Sequence, residues 1–204
     1  MISDWDLTTV GSRDSRRMIA IIAFVIGLSW LAAAIAASNS IEAVLKNYAL
    51  GWHPYAEGPW WIHLLAYSFI HQLPWYLLWN VVALWVLVRI ARGCVNPVGF
   101  IRLYSLGAIS SGLIYLLVSW QLHNTSPLIG GGGALMCMLG ALAVMKPSRG
   151  VWGWVLFVLV MQASNYESGP TLALSMTSGL VAGFIYGAIA RIVSPRVRRA
   201  DLYW

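Results

Sequence analysis

The chain has 204 residues, is 59% hydrophobic and only 10% charged, and carries a net charge of +6 with a mean hydropathy of +0.71. A soluble domain of this length has too little interior to hide so much apolar surface, so the composition excludes an ordinary globule and points to a polytopic membrane protein. The basic residues fall in short clusters between apolar runs, which reads as an orientation signal and argues against a nucleic-acid partner.

Six apolar segments read as spans: Met18–Ala37, Trp75–Ala91, Ile101–Trp120, Ile129–Met145, Val151–Ser164 and Leu172–Val193. Most approach the ~20 residues that cross ~30 Å of hydrocarbon. The fifth is short, and must be sheltered by its neighbours or extended through Gln162–Asn165. Residues 1–17 are expected to form a leader, 18–193 one membrane domain and 194–204 a basic, aromatic tail. The first apolar stretch lacks a small-residue cleavage site and is expected to be a retained span rather than a signal peptide.

Between the first two spans lies a long loop. It holds a candidate amphipathic helix around Ile41–Tyr48, then Gly51-Trp-His-Pro54 and Gly58-Pro-Trp-Trp61. Indole is apolar yet donates a hydrogen bond, so Trp52, Trp60 and Trp61 are expected to anchor this loop in the headgroup zone, with lipid as its partner. The remaining connections are short; Pro147-Ser-Arg-Gly150 is a plain turn between antiparallel helices.

Basic residues set the predicted topology. Arg13, Arg16 and Arg17 precede the first span, Arg89, Arg92 and Arg102 fall between the second and third, Lys146 and Arg149 follow the fourth, and Arg191, Arg196, Arg198 and Arg199 close the chain. Only Lys46 falls on the other side. The positive-inside rule then puts both termini in the cytoplasm, and a bacterial inner membrane is the expected location.

The most distinctive stretch is Ile129-Gly-Gly-Gly-Gly-Ala-Leu135 at the start of the fourth span. Each glycine weakens a helix by about 1 kcal/mol relative to alanine, so four in a row imply a backbone that passes very close to a neighbour. Upstream lies Phe100-x-Arg102-x-Tyr104-x-x-Gly107, and downstream Ser178-Gly179-x-x-Ala182-Gly183-x-x-x-Gly187. Earlier come Trp61-Ile-His, Phe69-Ile-His71 and Tyr76-Leu-Leu-Trp-Asn80. Together these patterns resemble the rhomboid family of intramembrane serine proteases, whose Gly-x-Ser-Gly-Ala motif carries the nucleophile. The resemblance implies an all-α bundle of six transmembrane helices with a partly embedded loop after the first.

The same resemblance shows what is missing. Gly130-Gly131-Gly132-Gly133-Ala134 puts Gly132 at the nucleophile position, and the family's general-base histidine falls at Met176. A serine needs a base within reach to become nucleophilic at neutral pH; glycine has no oxygen and a thioether takes no proton. Asn80 keeps the place where the family uses asparagine beside the oxyanion, whereas Tyr76 replaces a histidine. Tyr76, Asn80, Gly130 and Gly131 are therefore the expected remnant of the oxyanion side. For Asn80 a plain bond to a neighbouring helix backbone is the competing reading. Gly179, Gly183 and Gly187 share one face of span six and are expected to pack on span four through Gly133, Cys137 or Gly140, and Ala141 or Val144. Ser110, Ser111, Ser175, Thr177 and Ser178 carry no mark of a relocated nucleophile; helical Ser and Thr usually bond their own backbone one turn back.

Other chemistry is sparse. His53, His63, His71 and His123 show no ligand spacing, so no metal site is expected. Cys94 and Cys137 fall at different depths and are not expected to pair. No charged residue sits at the centre of a span, which disfavours a transporter or channel. No cofactor and no small-molecule substrate are expected. The tryptophans Trp75, Trp79 and Trp85 on span two read as lipid-facing, or as a face for a partner helix. The reading is a rhomboid-like pseudoprotease that binds transmembrane helices of other proteins, as a subunit or assembly factor of a membrane complex. Its alternative is a divergent active rhomboid-type protease or a relative that processes sorting signals; a third is lipid binding or bilayer thinning by the outer loop.

Overall fold

A computed structural model describes residues 27, 49–51, 60–71, 74–91, 94–95, 97–123, 126–164 and 170–193. The predicted first span apart from Gly27, the candidate helix around Ile41–Tyr48, Trp52 and the basic tail lie outside the described residues. Among the described residues, six α-helices follow Gly27 in chain order: α1 (Trp60–Ala66), α2 (Pro74–Ala91), α3 (Pro97–Gln121), α4 (Gly132–Met145), α5 (Arg149–Ser164) and α6 (Pro170–Val193). A single 3-10 turn, Tyr67–Phe69, continues α1. Helices α2 to α6 correspond to predicted spans two to six.

Helix α4 is the centre of the bundle. It is apolar on every side, and such a helix has no face to offer water. Twelve of its residues are buried, from Gly133 to Ala143 and Met145. Helices α3 and α6 pack on it, and α2 and α5 flank it. The main apolar core joins Leu87, Phe100, Leu103, Leu139, Leu142 and Leu180 around this axis. A smaller cluster of Leu50, Leu64, Tyr67, Tyr115 and Leu128 fixes α1 against α3.

Among the described residues only Val98–Gln121 and Pro170–Val193 have the length and hydropathy to cross a membrane by themselves. Helix α4, with 14 residues, is about 21 Å long at 1.5 Å per residue. Its predicted start at Ile129 moves to Gly132 because the glycines before it are not helical. Leu128 forms an antiparallel bridge with Leu50, with N–H···O distances of 3.0 and 2.7 Å. Gly130 adopts φ +101° and donates its N–H to the Tyr67 carbonyl at 2.8 Å. Non-helical backbone inside a membrane bundle must find protein partners, and this segment finds them in Leu50 and in Tyr67 of the 3-10 turn.

Helix α5 reaches Gln162 but is not sheltered. Only Val151 and Val155 are buried, both in its first two turns.

Candidate functional site

The small residues of α6 meet α4 along its length. A Cβ built on Gly179 would overlap the Gly133 carbonyl, one on Gly183 the Cys137 carbonyl, and one on Gly187 would press on Ala141 and Val144. The approach is reciprocal, since a Cβ on Gly140 would overlap the Leu180 carbonyl. Gly107 of α3 closes the third side, where a Cβ would overlap Cys137 and crowd Ala134. Backbone against backbone leaves no flexible group to yield, so glycine at these positions is dictated by packing.

This packing brings Met176 over Gly132. The Met176 methyl occupies the space that a Gly132 side chain would need. The two positions are therefore adjacent in space, and an unbranched thioether fills the gap between them. Beside them, a Cβ on Gly133 would overlap the Ser111 hydroxyl, and one on Gly131 would lie 2.8 Å from the Tyr104 hydroxyl. Tyr104 donates to the Ser68 carbonyl at 3.1 Å, tying α3 to the turn after α1.

A chain of buried hydroxyls runs behind Gly133. Tyr67 donates to the Ala108 carbonyl at 2.6 Å. With its one hydrogen so used, Tyr67 accepts from Ser111, 3.0 Å away. Ser175 in turn donates to Ser111, whose hydroxyl oxygen and carbonyl lie at 3.0 and 3.1 Å. Every hydrogen in the chain has an acceptor, and the terminal acceptor is a peptide carbonyl. Burial pushes the Tyr67 phenol up to about 12, only partly offset by the Ser111 hydrogen bond. Thr177 and Ser178 bond their own helix, to the Ala173 and Ser175 carbonyls at 2.8 and 2.7 Å. Among the described residues, none of these hydroxyls is bonded to a histidine; all seven acidic residues of the chain lie outside the described residues.

On the side of α2, Asn80 is hydrogen-bonded to the His71 Nε2. The His71 Nδ1 lies 3.2 Å from the Phe69 carbonyl, which can only accept. Nδ1 therefore carries the ring hydrogen, and Nε2 accepts from the Asn80 amide. Burial lowers the His71 pKa, with the Phe69 carbonyl opposing. Tyr76, one turn before Asn80, is 57% exposed. His63 is buried, its Nδ1 3.1 Å from the Ala49 carbonyl. Trp60 and Trp61 are exposed on α1. Cys94 and Cys137 are both buried, and no disulfide joins them.

Of the positions singled out in the sequence, the structure brings together Gly132 with Met176, and Gly133, Gly140, Gly179, Gly183 and Gly187 along one seam. Asn80 pairs with a histidine side chain, which neither reading of that residue anticipated. Ser111, Tyr67 and Gln162 find their partners across the bundle, where motif spacing carries no signal.

A family model described as the Rhomboid domain matches residues 58–193, which takes in all six helices. No curated protein matches the chain.

Proposed function

The chain belongs to the rhomboid family, and on that footing we propose that this integral membrane protein is a non-catalytic member that binds transmembrane segments of other proteins. The observation that carries the reading is the pair Gly132 and Met176. At the nucleophile position there is no oxygen, at the base position there is no proton acceptor, and the methionine fills the space between them. A serine-type hydrolase needs both groups within hydrogen-bond reach. The nearby hydroxyls of Ser111 and Ser175 direct their hydrogens into a closed chain instead.

What remains is a tightly packed core of α3, α4 and α6, with α2 and α5 at its flanks presenting large apolar side chains. Trp75, Trp79 and Trp85 on α2, and Leu156, Phe157 and Val160 on α5, are exposed outside the bundle. In a membrane such faces meet lipid or another helix, and aromatic side chains suit both. The described cations Arg89, Arg102, Lys146, Arg149 and Arg191 fall at the ends of the helices that the positive-inside rule assigns to the cytoplasm, supporting cytoplasmic termini in a bacterial inner membrane. The protein acts as a subunit or assembly factor of a membrane complex.

Purification from native membranes in a gentle detergent, followed by mass spectrometry of the intact assembly, tests this. A membrane protein that co-purifies at constant stoichiometry is the expected result. A protein recovered alone at every detergent strength would contradict the subunit role.

A further inference from the structure

The outer face of α2 narrows to a single stripe toward its C-terminal end. Leu84, Leu87, Val88 and Ala91 are buried in the core that α2 shares with α4. Val82, Trp85 and Arg89 are exposed, and with the exposed Leu78 they recur at steps of four, three and four residues, so they lie along one line of the helix. From Leu78 to Arg89 that line runs about 16 Å at 1.5 Å per residue. This is close to one leaflet, half of the ~30 Å hydrocarbon core.

The stripe ends in a stacked pair. The Arg89 guanidinium carbon lies over the Trp85 ring, 4.5 Å from its centroid. A cation over an indole is held by the quadrupole of the ring, so this contact uses none of the five guanidinium N–H donors. Those donors form a rigid fork that matches two oxygens of a phosphate, a geometry that a lysine ammonium does not offer. Holding a long side chain in place beforehand also reduces the entropy lost when a ligand binds. Charge selects the ligand. The 18 residues of α2 include no acid, and Arg102, Lys146, Arg149 and Arg191 stand at the same end of the bundle. Such a field attracts a headgroup with net negative charge and disfavours the ammonium of a zwitterionic one.

We propose that Arg89 and Trp85 form a binding site for one anionic phospholipid, whose phosphate takes the guanidinium fork and whose acyl chain lies along Val82 and Leu78. A helix of another protein in the same place would have to bring an acid to the depth of Arg89. The site rests only on the place of this chain in a membrane, and stands whether or not the protein binds client helices.

The test is native mass spectrometry of the delipidated full chain in detergent, titrated with phosphatidylglycerol or with phosphatidylethanolamine. The parent should bind one phosphatidylglycerol more tightly than phosphatidylethanolamine. Arg89→Gln should weaken phosphatidylglycerol binding at least about ten-fold, since it removes both the charge and the charge-assisted hydrogen bonds. Trp85→Leu keeps the stripe apolar and should weaken it about two- to five-fold through the lost stacking. Arg89→Lys should fall between the parent and Arg89→Gln, and Arg149→Gln, which removes an equal charge from the same end, should lose far less than Arg89→Gln. In native membranes, photo-crosslinking through Leu78→benzoylphenylalanine should add the mass of a phospholipid. Equal affinity for the two lipids, equal losses in Arg149→Gln and Arg89→Gln, an Arg89→Lys variant that binds like the parent, or a crosslink to a protein would each overturn the site; the last would assign this face of α2 to a partner helix.

Discussion

Gly179 lies against the Gly133 carbonyl so closely that no side chain fits between them. This contact draws α6 onto α4 and thereby sets Met176 above Gly132. The same seam that shapes the site also holds the bundle together, so its glycines are expected to be the least tolerant positions in the chain.

Gly179→Ala and Gly183→Ala should each destabilise by about 1–3 kcal/mol or more, the range for overpacking a close-packed interior. The obstructing atoms are peptide carbonyls, which cannot turn aside. Gly153→Ala is the contrasting case. A Cβ on Gly153 meets nothing within 4 Å, so helix propensity should dominate and stabilise by up to about 1 kcal/mol. Apparent melting temperatures in detergent, read by tryptophan fluorescence, should fall for the first two variants and hold or rise for the third.

Gly132 behaves differently from its neighbours on the seam. The atom that a Gly132 Cβ would meet is the flexible tip of Met176. Gly132→Ala should therefore cost less than Gly179→Ala, and much of that cost should vanish when Met176→Ala is added. A double-mutant cycle on thermal stability should give a coupling of about 0.5–3 kcal/mol, the range for residues in contact. Strict additivity would mean that the two side chains do not share that space.

Acid should weaken the fold through His71. Burial lowers its pKa below the ordinary 6.5, so the unfolded chain takes up a proton before the folded one does. Stability is then fully present above about pH 6.5 and is lost as pH falls below that value toward the folded pKa. Melting temperature should drop between neutral pH and pH 5, and His71→Gln should flatten that slope. Asn80→Leu should lower stability at neutral pH by about 1–3 kcal/mol, because it leaves a part-buried ring nitrogen unpaired.

The hydroxyl chain should be cooperative in the same sense. Tyr67→Phe removes both the donor to Ala108 and the acceptor for Ser111, whereas Ser175→Ala removes only the outermost donor. The first should cost about 1–3 kcal/mol and the second about 0.5–1.5 kcal/mol, with non-additivity in the double variant. Denaturation in increasing detergent or urea would rank them.

Much of this architecture is written in local pattern. The apolar runs place α2 to α6 within a turn or so of their observed ends, because a membrane helix needs little beyond length and hydropathy. The three-residue delay of α4 is less legible. Ile129 to Gly131 look apolar and continuous with the helix, but the bridge from Leu128 to Leu50 and the positive φ of Gly130 keep them out of it. At the site, Gly132 and Met176 could be read through motif alignment. Ser111 and Ser175 are 64 residues apart, and their contact exists only once α3 and α6 pack. His71 and Asn80 are nine residues apart but stand on opposite sides of the Pro74 helix start, so no helical period connects them.

The most direct test of the non-catalytic reading is intact-mass analysis of the purified protein in nanodiscs after exposure to a fluorophosphonate, which adds to an activated serine. The expected mass is that of the unmodified chain, since among the described residues the hydroxyls around Gly132 bond to carbonyls and to one another rather than to a base. A stoichiometric single adduct, mapped to Ser111, Ser175 or any other serine, would contradict the account and make the protein an enzyme with a displaced nucleophile.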